Sequence, residues 1–359
     1  MYERKGEQMN FDNMISRLQN IVNHLADEES KIIFNAKINY MCSGEESVYY
    51  KELQKIDRKG YCPELDEFMR ENKDSHGIII YGAREEGERT KRILEQCDKK
   101  VSFFCVDNHN STGTKIDGIP VISERELINS YADYIVILAR TAFLSDDYRR
   151  LIRSGFPRRK ILFPMHTYLI ASYGVQYFDV FPPVKDEVFV DAGTYNCDTI
   201  KDFVKWTGGE YKRIYAFEPH PRLIPVIDEY IKDEKIKNVV FTPKATWNKK
   251  DEIRFIEDDS ASKVGSEGRI YVSAIDIDSI VKDDRVTYIK MDVEGSELQA
   301  LIGAQKTIEL NKPRLAISVY HRLEDIIEIP EYILQLNMDY KLILRQYNSN
   351  MWETVLYCI

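Results

Sequence analysis

The spacing of apolar residues divides the chain into three stretches. In the first, Phe11, Met14, Ile15, Leu18, Ile21, Val22 and Leu25 recur every three or four positions, the period of a helix with one apolar face. A second helical pattern follows Asp27, Glu28 and Glu29, acids that suit the positive end of a helix dipole. From about residue 74, short apolar runs alternate with helical stretches. Residues 77–82, 101–106, 134–138 and 160–163 read as strands, 85–95 as a helix, and 118–121 as a loop entering a short edge segment. After Phe181-Pro182-Pro183 the alternation resumes, with strands predicted at 187–190, 213–217, 239–241, 285–291 and 314–319. Repeated strand–helix units of this kind predict parallel sheets covered by helices. Two further strands, 340–344 and 353–358, are joined by a turn at 348–350 that is too short for a parallel crossover, so they pair antiparallel.

The expected organisation is α/β in three pieces. An N-terminal helical segment occupies 1–73, a small Rossmann-like α/β domain 74–165, and a larger doubly wound sheet with a reversed C-terminal strand 166–359. The apolar stripe of the first helix needs a covering surface, either the neighbouring domain or a second copy of the chain in a homo-oligomer. A net charge of −9 argues against broad nucleic-acid binding, which needs a basic surface to displace counterions. It leaves room for an anionic substrate in a local pocket. No apolar run approaches a membrane span and the first residues form no apolar leader, so a cytoplasmic protein without an integral membrane segment is expected. The six cysteines form no CxxC pair and no ligand-like spacing with histidine, which fits reduced, buried thiols.

Candidate chemistry clusters at strand ends, where open α/β sheets bind ligands. In the small domain, the loop GAREEG (82–87) keeps the outer glycines of a dinucleotide fingerprint but carries Arg84 at the middle one, whose side chain hinders close approach to a pyrophosphate. Asp107 ends the next strand, where a ribose-binding acid belongs, while Asn108, His109 and Asn110 read as turn residues. This domain resembles the small Rossmann-like module at the front of some sugar-modifying enzymes. In the larger domain, VFVDAGTYNCDTI (188–200) runs apolar residues into Asp191, turns at Gly193 and opens a helix at Asp198-Thr199. A single tight glycine suits S-adenosylmethionine, which has no pyrophosphate to cradle. RIYAFEPHP (213–221) ends a strand at Glu218, which either accepts hydrogen bonds from both ribose hydroxyls or caps the following helix. YIKMDVEGSELQALIGA (288–304) places Asp292 and Glu294 at the mouth of the sheet, either as functional carboxylates, since two acids there repel one another and are costly as structure alone, or as helix-start acids stabilised by the dipole. RLAISVYHRLEDI (314–326) places His321 just past a strand, as a proton acceptor or as a hydrogen-bonded wall residue.

These motifs, with IPEYI (329–333) and the tail ETVLYC (353–358), resemble in content and order the FkbM-like methyltransferase family, over about half of the chain. A parallel sheet ending in a reversed strand is also the layout of class I methyltransferases. The resemblance implies S-adenosylmethionine as cofactor and O-methylation, commonly of a sugar hydroxyl, in antibiotic or surface-polysaccharide pathways. The acceptor is then a small molecule or glycan. The cofactor-binding set is Asp191, Gly193, Thr194, Tyr195, Asp198, Glu218 and Asp292; the catalytic candidates are Glu294 and His321, and no metal is expected. Cys197 stands where the family often has a second glycine, and a larger side chain there narrows the approach to the methionine moiety. An insertion pairs 252–256 with 269–275 around 260–268 as a hairpin, either a lid or an ordinary loop. Trp247 either covers the adenine or packs in a core, and Asp276 and Asp278 read as turn and helix-cap residues. Two other classes compete: a sugar-nucleotide or NAD enzyme centred on the small domain, and a non-catalytic protein of a surface-polysaccharide pathway.

Overall fold

The computed structural model describes residues 11–56, 59–60, 62–107, 113–139, 144–162, 173–257 and 262–359. The turn at Asn108–Asn110, the strand end at Phe163 and the first part of the 260–268 loop lie outside them. The chain forms two compact units, one of residues 1–56, 174–347 and 351–359 and the other of 57–173 and 348–350.

In the larger unit the chain begins with α1 (Phe11–His24), α2 (Glu28–Ser43) and α3 (Glu46–Leu53), and the smaller unit opens with α4 (Pro63–Glu71). The smaller unit continues with β1 (Ile78–Tyr81), α5 (Glu85–Gln96), β2 (Val101–Val106), β3 (Lys115–Ile116), β4 (Ile119–Ser123) and α6 (Glu124–Ser130). It ends with β5 (Ile135–Leu138), α7 (Leu144–Arg153) and β6 (Ile161–Leu162). Its sheet order is β3-β4-β2-β1-β5-β6, parallel except for the β3–β4 edge hairpin. Every residue of β1 is buried, as a strand covered on both faces requires. A Cβ on Gly87 would lie 2.1 Å from the Gly82 carbonyl oxygen, so this glycine exists for the close packing of α5 against the loop. Arg84 stands exposed immediately before α5, where the fingerprint has its middle glycine.

The larger unit carries β7 (Val188–Ala192), α8 (Asp198–Trp206), β8 (Arg213–Phe217), α9 (Ile224–Asp233) and β9 (Val239–Thr242). An inserted small sheet follows, of β10 (Ala245–Thr246), β11 (Asp251–Ile256), β12 (Lys263–Val264) and β13 (Ile270–Ile275), in the order β10-β13-β11-β12. The chain then returns through α10 (Ile277–Val281), β14 (Tyr288–Met291), α11 (Glu297–Ile302), α12 (Gln305–Asn311), β15 (Arg314–Ser318) and α13 (Asp325–Leu336) to β16 (Leu342–Gln346) and β17 (Thr354–Cys358). The main sheet is ordered β16-β17-β15-β14-β7-β8-β9, with β17 antiparallel to both of its neighbours and the remaining pairs parallel. This is the class I methyltransferase arrangement with its reversed strand.

Local chemistry sets the element boundaries. Strand β14 starts later than the apolar pattern suggests because Thr287 is engaged beforehand, its hydroxyl oxygen accepting from Val188 N at 2.9 Å. Asp276 caps α10 by accepting from Ser279 N at 2.8 Å, and Asp278 accepts from Lys306 N and Thr307 N at the start of α12. The N-terminal helices turn their apolar faces into the main core, where Ile21, Leu25, Ile33 and Phe34 are buried beside Leu342 and Leu344. Arg17 grips Glu331 of α13 through two bonds of 2.7 and 2.6 Å, and Ser30 Oγ accepts from Leu344 N at 2.9 Å. Leu18, Ile21, Val22 and Leu25 of the stripe are therefore packed within their own unit, while Ile15 is left 48% exposed. Among the described residues no helix is long and apolar enough to cross a membrane.

Candidate active site

Strands β7, β8, β14 and β15 lie side by side and parallel, so their following loops emerge on one rim. There a cavity of about 330 Å³ opens, lined by Gly193, Tyr195, Glu218, Asp292, Glu294 and Glu353 among others. That volume falls in the range of small-molecule sites. Phe255, Lys263 and Val264 of the inserted sheet form part of its wall, so the insertion covers the site. Trp247 instead packs against the core of that inserted sheet.

The glycine turn is dictated by space. Gly193 has φ +83°, and an added Cβ would stand 1.8 Å from the Asp292 carbonyl oxygen, inside any permissible contact. Gly193 N and Thr194 N both donate to Phe217 O, at 3.1 and 3.0 Å, tying the turn to the end of β8. We expect Gly193→Ala to displace this turn and weaken S-adenosylmethionine binding by roughly 10–100-fold, at a strain of about 1–3 kcal/mol. Isothermal titration of the variant checks it, and wild-type affinity would show that the turn does not form the site.

Left-handed backbone continues at Tyr195 (φ +48°) and Cys197 (φ +70°). This aims Tyr195 N at Glu218 Oε2, 3.0 Å away, while Glu218 Oε1 accepts from His220 N at 2.8 Å. Burial pushes the Glu218 carboxyl upward, against those two donors. Two carboxylate oxygens offer about four acceptor positions, so capacity remains on the cavity side. Glu218 thus serves the turn and faces the cavity at once. Cys197 is buried in the core beside Ile200 and Phe203 and does not line the cavity, so its thiol does not narrow the site as the sequence suggested.

Three predicted cofactor ligands fall outside the cavity wall. Asp191 is fully buried in β7, with Lys290 Nζ 3.1 Å from its Oδ1, and burial raises its carboxyl pKa. The Lys290 ammonium also donates to Gly193 O at 2.6 Å, so the pair supports the glycine turn from beneath. Thr194 is buried and donates to Asp191 O at 3.2 Å. Asp198 is exposed at the start of α8 and accepts from Asn196 Nδ2 at 2.7 Å.

The second half of the site is acidic. Asp292 accepts from Tyr177 Oη at 2.8 Å and from Tyr320 Oη at 3.3 Å. Glu294 (φ +54°) and Gly295 (φ +89°) form a left-handed turn after it. His321 lies behind the two acids, its Nε2 at 3.3 Å from Glu294 Oε2 and 3.5 Å from Asp292 Oδ1, its Nδ1 at 3.0 Å from Glu297 Oε1. Burial lowers the imidazole pKa, but the facing Glu294 and Glu297 carboxylates outweigh it and raise it to about 11. The surrounding carboxylates thus favour the protonated imidazole, which weighs against His321 as the proton acceptor. Glu353 is also held above its usual range, by burial and by Asp292. Lys290, Glu297, Glu353 and Tyr177 escaped the sequence reading. Of these, Lys290 stands out as a charged residue inside an apolar strand, while Glu297 and Glu353 lie within the motifs without a signal of their own.

The sheet has the class I fold of S-adenosylmethionine-dependent methyltransferases. Residues 191–342 match the family model described as the methyltransferase FkbM domain. Residues 74–162 match the model described as C2185-like, N-terminal. Among solved structures, a methyltransferase FkbM from Methylobacillus flagellatus KT is 19% identical with a TM-score of 0.48, the match covering 86% of this chain and 97% of that one. An rRNA methylase from Streptococcus thermophilus is 16% identical, over 48% of this chain and 86% of that one, with a TM-score of 0.33. Fibrillarin from Aeropyrum pernix, solved with natively bound S-adenosyl-L-methionine, is 13% identical, over 50% and 70% of the two chains, with a TM-score of 0.33. No curated protein matches the chain.

Proposed function

We propose that this protein O-methylates a hydroxyl of a sugar or glycan-related small molecule, in the cytoplasmic steps of surface-polysaccharide assembly. The observation that carries the reading is one cavity shared by the glycine turn, Glu218 and the Asp292–Glu294 pair. The residues fit the cofactor: a glycine turn without a phosphate cradle, and a carboxylate with acceptor capacity toward the cavity for two ribose hydroxyls. Bound S-adenosylmethionine supplies an electrophilic methyl group. The protein's own work is to hold the acceptor in line, which saves about 7–11 kcal/mol of barrier when the alignment is good. Glu294, in the cavity wall, takes the hydroxyl proton on its carboxylate, a contribution of about 10²–10⁴-fold. Asp292, oriented by two tyrosine hydroxyls in the cavity wall, would attract the cofactor's positive charge, which favours binding more than rate. A sugar would suit the acceptor side because Trp352, 55% exposed, meets the cavity-lining Tyr320 edge-on at 6.1 Å, an exposed aromatic residue close to the cavity.

Calorimetry with S-adenosylmethionine tests the cofactor half. Glu218→Ala should lose about 100-fold in affinity, as expected for charged hydrogen bonds. A wild-type protein that binds no S-adenosylmethionine would refute the proposal. Labelled S-adenosylmethionine with a panel of sugar nucleotides and glycans, followed by mass analysis, tests the acceptor; label appearing only on nitrogen or on protein would exclude the hydroxyl reading.

A further inference from the structure

The linear sequence has no metal-ligand spacing, yet the fold assembles one. Adjacent strands β14 and β15 deliver Asp292, Glu294 and His321 to a single patch, where one donor atom from each can be chosen so that all lie within 4.8 Å of one another. We propose that this triad is a divalent-cation site, one that prefers a Mn²⁺-class transition ion because an imidazole joins two carboxylates. The site's use in seating the acceptor oxygen rests on the methyltransferase reading; the existence of the site does not.

The histidine points to a ligand independently of the acids. Its side chain is 7% exposed. Although three carboxylates surround it, neither ring nitrogen has a partner in hydrogen-bond geometry. Nε2 faces the space between Asp292 and Glu294, and a cation bound there would displace the imidazole proton to solvent and take its place beside both carboxylates. Behind it, Nδ1 lies 3.0 Å from Glu297 Oε1, and Glu297 is itself fully buried and held by Val293 N at 2.9 Å. A ligating histidine characteristically offers its second nitrogen to such a carboxylate, which fixes the ring and strengthens the metal bond. Asp292 is likewise oriented, by the Tyr177 and Tyr320 hydroxyls.

Charge favours a cation as well. Asp292, Glu294 and Glu353 line the same cavity and Glu297 lies just behind, while among the described residues the positive side has the His321 imidazole beside them and the exposed Lys263 on the inserted sheet's part of the wall. Lys290 is occupied by Asp191 and Gly193 O, and Arg322 pairs with Glu324. Small adjustments of the carboxylates would bring the donors to the roughly 2.0–2.3 Å that such ions require. Because Asp292 and Glu294 face the cavity, the remaining coordination positions open toward the acceptor.

The test uses the full chain, stripped with chelator and titrated with MnCl₂ alone, with free Mn²⁺ followed by electron paramagnetic resonance. One saturable site per chain is expected, weakened at least about tenfold in Glu294→Gln and in His321→Ala. Asp339→Asn, an exposed acid remote in sequence from the triad, should leave binding unchanged. Circular dichroism accompanies each variant, and Glu294→Gln decides the matter if His321→Ala fails to fold. Absence of saturable binding, or binding indifferent to Glu294→Gln, overturns the site. Since no S-adenosylmethionine is present, calorimetry on the same protein separates the two failures: cofactor binding without Mn²⁺ binding sinks this inference and spares the methyltransferase.

Discussion

Lys290→Met should destabilise the larger unit by about 3–5 kcal/mol, the cost of breaking a buried ion pair from one side. Lys290 is 2% exposed in the middle of the main sheet, and its ammonium meets Asp191, itself fully buried, at 3.1 Å. The same ammonium holds Gly193 O at 2.6 Å, so the substitution strands a carboxyl and releases the turn that forms the cavity wall. Replacing both partners is a different matter. Lys290→Met combined with Asp191→Leu removes both buried charges, and well-packed apolar pairs are often neutral or stabilising relative to the ions they replace. The double variant should thus recover much of the lost stability and still bind S-adenosylmethionine poorly, because Gly193 O stays unanchored. Urea unfolding of the two single variants and the double variant gives the coupling energy, and calorimetry gives the affinity. A single-variant cost below about 1 kcal/mol, or full cofactor affinity in the double variant, would remove Lys290 as the support of the turn.

This pair also marks where the sequence stops being legible. The rim itself was readable, because a parallel sheet gathers its strand ends, and Glu218 and Asp292 each follow an apolar run directly. The reversed strand was readable from the shortness of its connection. What could not be read was depth. Asp191 belongs to the same kind of strand-end motif as Glu218, yet it sits two residues further inside, paired across the register with Lys290. Tyr177 comes from outside every motif, and Glu353 opens the tail motif with no strand end to mark it; both reach the site only through the packing of the finished sheet. His321 was legible as a site residue, but its charge state was not, since that depends on Glu297, brought to it by the turn at Glu294–Gly295. A motif locates a side chain along the chain; the carboxylates around it decide its chemistry.

Lys37→Met should stabilise the protein by about 2–4 kcal/mol at pH 7, an unusual sign for a core substitution. Lys37 lies on α2 at 7% exposure, donating to Met351 O at 2.7 Å and standing 5.3 Å from the centre of the Tyr49 ring. Burial lowers its ammonium from the ordinary 10.5 to about 7. With the folded-state value depressed, the unfolded chain holds the extra proton between pH 7 and 10.5, so stability rises with pH across that window and falls as pH drops toward 7. The gap corresponds to about 5 kcal/mol at its full extent, from which the lost bond to Met351 O subtracts about 1–2 kcal/mol in the variant. The difference between variant and wild type should therefore shrink as pH climbs from 7 and reverse slightly near 10.5, where the neutral amine keeps its hydrogen bond at no charging cost. Urea midpoints for both proteins at pH 7, 8.5 and 10 measure this, other titrating groups cancelling in the comparison. A variant less stable than wild type at pH 7, or a difference that does not change with pH, would mean that the amine is charged in place and that the core around α2 tolerates it.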